Sequence, residues 1–289
     1  MNLIILIPVF NDFKSVSKLI EDIDINILEL DASFSVIILN DASTEKNDLN
    51  TKNLKKIKSL KVLNMRNNKG HARCIASGLK YISENEEFDY VIPMDGDGED
   101  RPEEIKNFVE KIKNNPNKSI VGERVKRSEG LIFKICYFLH KIITYTFRGK
   151  LIKFGNFTCL TKETVKKLIN EKATWSSFSG SLAKTEINLV KSPSIRGSRY
   201  FGPSKMSLSN LIIHSLSIIA VFKTGVIFRS IAFYAIYLII IAEYISIITA
   251  IPLALIILFG LVILKISGRE NMTEFNNSLT NISDIDTLK

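Results

Sequence analysis

Four short apolar runs, each followed by polar residues and most by a stretch of helical periodicity, constrain this chain more than any other feature. Residues 3–9, 34–39, 60–65 and 88–94 are rich in Ile, Leu, Val and Phe and read as buried strands. Residues 13–30, 49–58 and 72–83 carry apolar residues at helical spacing, the last opened by a turn at Gly70. This alternation builds βαβ units and therefore a parallel sheet with helices on both faces. Residues 119–122 read as a fifth strand and 131–147 as an apolar helix, and the pattern loosens from there to Tyr200.

In a parallel sheet the carboxyl ends of the strands share one edge, where ligands bind. The ends here are Pro8-Val9-Phe10-Asn11-Asp12, Asn40-Asp41-Ala42-Ser43, Arg66-Asn67-Asn68-Lys69-Gly70 and Asp95-Gly96-Asp97-Gly98-Glu99-Asp100. Carboxylates this crowded repel one another unless a cation neutralises them, and hard oxygen ligands suit Mg²⁺ or Mn²⁺. A solvated acidic turn is the plain alternative. Pro102, with Glu103 and Glu104 behind it, then starts a helix. Neither a dinucleotide glycine fingerprint nor a Walker A loop is present. A nucleotide would be held by carboxylates and metal, which suits a nucleotide-diphosphate leaving group.

Composition changes near Lys205. Charge almost disappears from 208 to 266, which explains a mean hydropathy of +0.13 in a chain of net charge +9. Residues 230–251 are apolar except for Glu243 and long enough to cross a hydrocarbon core of roughly 30 Å. Residues 252–266 form a second run, with Pro252 placed to turn the chain between them. Lys223 and Arg229 precede the pair and Lys265 and Arg269 follow it, so the expected hairpin keeps both ends cytoplasmic. Two buried core helices are the alternative. Residues 208–222 mix Ser, Asn and His with apolar residues and suit a helix lying along the membrane surface. The expected organisation is a catalytic domain over 1–205, a juxtamembrane segment over 206–228, two spans over 229–267 and a polar tail over 268–289.

The N-terminus lacks the basic segment of a secretory signal, and Pro8 and Asn11-Asp12 interrupt its apolar run. Cys74, Cys136 and Cys159 are odd in number and lack metal-ligand spacing, which fits a reducing compartment. The basic excess fits a face held against anionic lipid. Nucleic acid is not an expected partner, because no basic patch is interleaved with aromatic residues.

Pro8-Val9-Phe10-Asn11-Asp12 is similar to the opening P-x-Y-N-E of the family 2 glycosyltransferases, Asn40-Asp41-Ala42-Ser43 to their D-D-G-S, and Asp95-Gly96-Asp97 to their D-x-D. The chain most resembles the polyprenyl-phosphate glycosyltransferases, of the dolichol-phosphate mannose synthase type, whose acidic stretch reads D-A-D-L-Q-D-P-P-E-E. Asn68-Lys69-Gly70-His71-Ala72-Arg73 and Gly78 resemble that group's N-x-G loop and helix, and 199–205 its R-x-x-G-x-S-K. The resemblance implies a GT-A fold, a Rossmann-like α/β nucleotide-diphospho-sugar transferase domain, followed by a C-terminal transmembrane helical hairpin. It further implies that Asp41 contacts the nucleotide base and that Pro8, Asn11 and Asp12 shape its pocket, with Arg73 also on the nucleotide-sugar side. Asp95 would sit against ribose and phosphate and Asp97 would ligate the metal with it. Arg199, Ser204 and Lys205 would grip phosphate, or, on the simpler view, rest on lipid headgroups; Arg124, Lys126 and Arg127 read as loop or membrane-facing charge. Implied partners are a nucleotide-diphosphate sugar, a polyprenyl phosphate acceptor and membrane lipid, with a homo-oligomer possible through the spans. Three departures stand out: Asn40 for the first Asp of D-D-G-S, Glu99 for the usual Gln, and Asn156 where the group has the Asp of G-D-F.

No Asp occurs between Asp100 and Asp284. Inverting transfer to a hydroxyl needs a general base, and of the late carboxylates Glu163, Glu171 and Glu186 only Glu186 is a reasonable candidate. A polyprenyl phosphate is already an anion and needs none. The expected function is therefore inverting sugar transfer to a polyprenyl phosphate. The alternatives are transfer to a hydroxyl of a growing glycan with Glu186 as base, or a non-catalytic membrane-anchored module.

Overall fold

The computed structural model describes residues 1–47, 49–51, 53–126, 145–146, 152–203 and 207–289. Nearly all of the segment 131–147, with Cys136, lies outside them, as do Arg127, Ser204, Lys205 and the side chain of Lys126.

One sheet organises the catalytic part of the chain. Its strands are β1 (Asn2–Val9), β2 (Ser33–Asn40), β3 (Ile57–Met65), β4 (Tyr90–Pro93), β5 (Ile120–Lys126), β6 (Phe154–Thr161), β7 (Val190–Ile195) and β8 (Ile282–Thr287), in the order β7-β5-β6-β4-β1-β2-β3-β8. The four early strands run parallel, with β1 between β2 and β4. Their near-continuous Ile, Leu and Val are needed because both faces are covered. One face buries Ile5, Ile7, Val36 and Ile38 beneath α1 (Phe13–Asn26) and α3 (Ile105–Asn114). The other buries Ile4, Leu6, Ile37 and Leu39 beneath α2 (His71–Asn85). The sheet is mixed rather than all parallel, because β6 runs antiparallel to β4 and β5, and β8 antiparallel to β3.

The expected helix over 49–58 does not form among the described residues there, and β3 begins within it, at Ile57. Asp24, buried on α1, explains the difference. Its carboxylate accepts the backbone N–H groups of Lys55, Lys56 and Ile57 at 2.7, 2.8 and 2.8 Å, drawing the chain out into the strand. Those three bonds outweigh burial and hold Asp24 below the usual carboxylate value.

Beyond β6 come α4 (Lys162–Ile169) and α5 (Phe178–Thr185), and beyond β7 come α6 (Leu208–Ala220), α7 (Lys223–Ile241) and α8 (Ile247–Ser267). The bend between the two long apolar helices lies at 242–246, not at Pro252, which sits inside α8. Ser246 and Thr249 form a reciprocal capping box, a stronger start signal here than proline. Glu243 therefore lies in the exposed bend and inside neither helix. At 19 and 21 residues the helices are about 28 and 32 Å long at 1.5 Å per residue, enough to cross a membrane. Their outward residues include Ile239, Ile247 and Ile248, at 76%, 88% and 77% exposure. At their base Ile219, Ala220, Val226 and Ile263 form a small core that ties α6 to both.

The expected polar tail is instead folded. After α8 the chain forms α9 (Met272–Asn276) and then β8, which closes the sheet edge on β3. Asn64 donates to Asp284 and Asp286 across that pair at 2.6 and 2.9 Å.

Helix α2 lies so close to β1 that a Cβ on Gly78 would stand 2.5 Å from Leu6 Cδ1 and 3.1 Å from Leu39 Cδ1. Gly78→Ala overpacks this contact and should destabilise the domain by about 1–3 kcal/mol, read as an earlier denaturant midpoint of the detergent-solubilised protein.

Candidate active site

The carboxyl ends of β1, β2 and β4, with the loop after β3, bring Asp12, Asp41, Asp95 and Asp97 to one edge, as the strand pattern predicts. Asp41 is buried, and its two oxygens accept the backbone N–H groups of Lys69 and Gly70, both at 2.8 Å. Burial raises its pKa, opposed by those two bonds and by the charges of His71 and Lys69. Asp41 thus shapes the loop after β3. The adjacent Ala42 has φ +57, a left-handed conformation that costs a non-glycine residue about 1–2 kcal/mol. That conformation accounts for the glycine of D-D-G-S. Asn11, at φ +51, accepts from the backbone N–H of Thr44 at 2.8 Å and donates its own to Ser43 Oγ, fastening the β1 and β2 loops together. Pro8 pairs with Leu39 inside the sheet, near the carboxyl end of β1.

The acidic loop is neutralised from outside. Asp95 Oδ1 lies 3.2 Å from His71 Nε2 and accepts from Asn156 Nδ2 at 3.1 Å. Burial pushes Asp95 up, but His71 first, then Asn156 and Arg196, hold it well below the ordinary carboxylate value. For His71 burial works downward and the carboxylates, Asp95 foremost, win, so its pKa is raised. Asp97 pairs with Arg199, whose other nitrogen reaches Asp12 at 3.1 Å. Burial and the neighbouring Asp95 raise Asp97 to about 6. Glu99 pairs with Arg196. Asp100, raised to about 8 by burial and then Asp95, accepts the backbone N–H of Asp95 at 2.9 Å.

Arg196 and Arg199 arrive on a strap that lies across the loop. The backbone N–H groups of Gly197 and Tyr200 donate to the carbonyls of Glu99 and Asp97 at 2.8 and 2.9 Å, and Tyr200 Oη donates to Asp22 at 2.7 Å. The Tyr200 ring sits where a Cβ on Gly98 would be, 2.4 Å away, and Gly98 has φ +87. Only glycine serves there.

Two predicted site residues lie elsewhere. Glu186 caps α5, where its carboxylate accepts from Lys167 at 2.9 Å and Thr164 at 3.3 Å. Thr164 follows the end of β6, whose Thr161 pairs with Tyr90 at the start of β4. Asp95 follows the other end of that strand, and four residues of β4 alone span about 13 Å. Glu186 is at the opposite edge of the sheet and is not a base for this pocket. Arg73 turns towards Trp175 and Glu274, its guanidinium 5.3 Å from the indole ring. Conversely, sequence reading assigned no role to His71, Arg196 or Asp100. Asp100 lay in plain view in the acidic run, but His71 and Arg196 pair with acids 24 and 97 residues away, contacts that only the fold reveals.

The sequence profile of glycosyl transferase family 2 matches residues 4–164, more than half of the chain. The chain belongs to glycosyl transferase family 2. It is 24% identical over 216 residues to the undecaprenyl-phosphate 4-deoxy-4-formamido-L-arabinose transferase of Klebsiella pneumoniae, covering 72% of this chain and 63% of that one. It is 26% identical over 144 residues to an uncharacterised protein of Methanocaldococcus jannaschii, covering 49% and 60%. The chain thus spans about three fifths of the length of these relatives. Glucosyl-3-phosphoglycerate synthase of Mycobacterium tuberculosis, solved with Mn²⁺, UDP-glucose and phosphoglyceric acid, superposes with a TM-score of 0.55 at 14% identity, over 78% of this chain and 79% of that one. The same enzyme with Mg²⁺ and UDP gives 0.54 at 13% identity, over 78% and 79%. These likenesses establish the GT-A fold for the family 2 domain.

The acidic loop carries a pH signature. Asp97 and Asp100 hold protons to about 6 and 8, whereas an unfolded chain releases them near 4. The folded state therefore binds more protons across that window, and the cluster lowers stability as pH rises through it. In chelator, Asp100→Asn should raise the unfolding temperature at pH 8, by roughly 2–4 °C per kcal/mol of relieved repulsion, and change it little at pH 5. Thermal scans of the solubilised protein at both pH values check this.

Proposed function

We propose that this family 2 glycosyltransferase moves a sugar, with inversion, from a nucleotide-diphosphate sugar to a polyprenyl phosphate at the cytoplasmic face of a membrane. The observation that carries the reading is how the carboxylates are used. Glu186 is at the far sheet edge. Among the described residues of the pocket, Asp12 and Asp97 are engaged by Arg199, Glu99 by Arg196, Asp95 by His71 and Asn156, Asp41 by the N–H groups of Lys69 and Gly70, and Asp100 by the N–H of Asp95. A hydroxyl acceptor would need one of them as base; a phosphate monoester is an anion at neutral pH and needs none. The apolar pair α7 and α8 supports an acceptor dissolved in lipid, and their exposed faces suit lipid or a second copy of the chain. The Klebsiella pneumoniae relative, named for transfer to undecaprenyl phosphate, supports the same class of acceptor. Lys223 and Arg229 in the first two turns of α7, and Lys265 and Arg269 at the far end of α8, favour the cytoplasmic side.

The donor set suits a hard divalent cation. It is all carboxylate oxygen, and burial and then repulsion from Asp95 raise Asp97, a penalty that Mg²⁺ or Mn²⁺ would relieve. Among the described residues no three His, Cys, Asp or Glu side chains converge as a cage, so diphosphate oxygens and water would complete the shell begun by Asp97 and Asp95. The metal would supply charge stabilisation for the departing nucleotide diphosphate. Asp41 and the backbone of the loop after β3 hold the base side of the pocket. His71 and Asn156 fix Asp95, and Arg199, held between Asp97 and Asp12, places a cation at the phosphate end. The sugar's anomeric carbon then lies open to in-line attack by the acceptor phosphate.

Membranes containing the protein, incubated with a panel of radiolabelled nucleotide sugars, should place label in the lipid extract in a divalent-cation-dependent way. Asp97→Ala should reduce that transfer by about 10²–10³-fold, and Glu186→Gln should leave it within about twofold. Label found only in polysaccharide refutes the lipid acceptor.

A further inference from the structure

The segment that follows the second apolar helix reaches the loop that shapes the nucleotide side of the pocket. Glu274, on α9, stands 3.3 Å from Lys69 Nζ and 3.6 Å from Arg73 Nη2, and accepts the indole N–H of Trp175 at 2.9 Å. Phe275 beside it stacks on Trp175 with ring centroids 5.3 Å apart. The Trp175 bond, then Arg73 and Lys69, outweigh burial and hold the Glu274 carboxyl below its ordinary value, so it is charged at neutral pH. A few residues on, Asn281 grips the same loop. Its carbonyl accepts the Arg66 N–H at 2.7 Å, its side-chain oxygen accepts the Asn67 N–H at 3.2 Å, and its amide donates to the Asn67 carbonyl at 2.9 Å.

The loop therefore has two sets of anchors. From inside the pocket Asp41 takes the N–H groups of Lys69 and Gly70, and its carbonyl accepts from Asn68 at 3.0 Å. From outside, more than 200 residues along the chain, Glu274 and Asn281 take Arg66, Asn67 and Lys69. Gly70, at φ +88, has no Cβ to stiffen it, so the conformation that presents these N–H groups to Asp41 depends on both sides.

We infer that Glu274 and Asn281 are positioning residues for the nucleotide half of the donor site, so that the chain returning from the membrane hairpin sets donor affinity. The inference rests on the proposed donor pocket at Asp41. It touches no atom that reacts, so its effect belongs in donor binding and KM and not in turnover.

The test uses full-length, detergent-solubilised protein, titrated calorimetrically with UDP, GDP, CDP and ADP, each with Mn²⁺. For the nucleotide that binds wild type, Glu274→Ala and Asn281→Ala should each weaken binding by about tenfold. Donor KM should rise in step while kcat stays within about twofold. Glu274→Gln, which keeps the Trp175 bond and loses the charge facing Lys69 and Arg73, should fall between. Circular dichroism confirms the fold of each variant, and Glu274→Gln with Asn281→Ala decide the matter if Glu274→Ala does not fold. Unchanged nucleotide affinity in the folded variants, or a fall in kcat with KM constant, overturns the inference alone. Wild-type protein that binds none of the four nucleotides overturns the donor-site reading and the inference with it.

Discussion

The architecture around the active site answers one electrostatic problem. Asp95, Asp97, Glu99 and Asp100 fall within six residues at the end of β4. Two like charges about 4 Å apart near a protein surface repel by roughly 4 kcal/mol, so a loop carrying four carboxylates holds together only if counter-charges or protons reach it. Each acid has its own remedy: His71 and Asn156 for Asp95, Arg199 for Asp97, Arg196 for Glu99, and a retained proton for Asp100. Glu99, which adds a charge where the motif has Gln, is thus balanced by Arg196, three residues before the Arg199 motif.

Those remedies come from distant segments, and this links the pocket to the membrane hairpin. The strap bearing Arg196 and Arg199 runs on into the juxtamembrane chain and α6, which packs on α5 where a Cβ on Gly180 would stand 2.9 Å from Val221 Cγ2. After the hairpin, Lys223 pairs with Glu270 at 2.9 Å, closing its base, and α9 and β8 return to the opposite side of the sheet. The hairpin is therefore fastened to the catalytic domain by both of its ends. One end lies over the acidic loop after β4 and the other against the loop after β3.

Much of this was legible in the sequence because it depends on local pattern. The four parallel strands, and the convergence of Asp41, Asp95 and Asp97, follow from apolar runs and from the rule that strand ends share an edge. What escaped depends on partners far away in sequence. Residues 49–58 have helical spacing, yet the buried Asp24 captures three N–H groups there and favours extension. Pro252 reads as a turn, but the capping box at Ser246 decides where α8 starts. The last twenty residues are polar because β8 is an edge strand with one face in water, a pattern that resembles a tail until its partner β3 is known. Glu186 drew attention as the last reasonable acid, and only the antiparallel course of β6 shows that it faces away.

Asn156 brings these threads together. In the motif this position is an Asp, and here its Nδ2 lies 3.1 Å from Asp95 Oδ1. A carboxylate in that place would add a further negative charge against Asp95. The amide turns the repulsion into a hydrogen bond, and in doing so it removes the one late acid that the fold would have aimed into the pocket. Losing a base is costly only if the acceptor arrives protonated. An acceptor that arrives as an anion instead benefits, because each carboxylate removed near its path lowers the barrier to its approach, while Arg199 remains to meet it. On the proposed reading, the substitution at Asn156, the distant placement of Glu186 and the cations of the strap work in one direction, since each leaves less uncompensated negative charge where an anionic acceptor would approach.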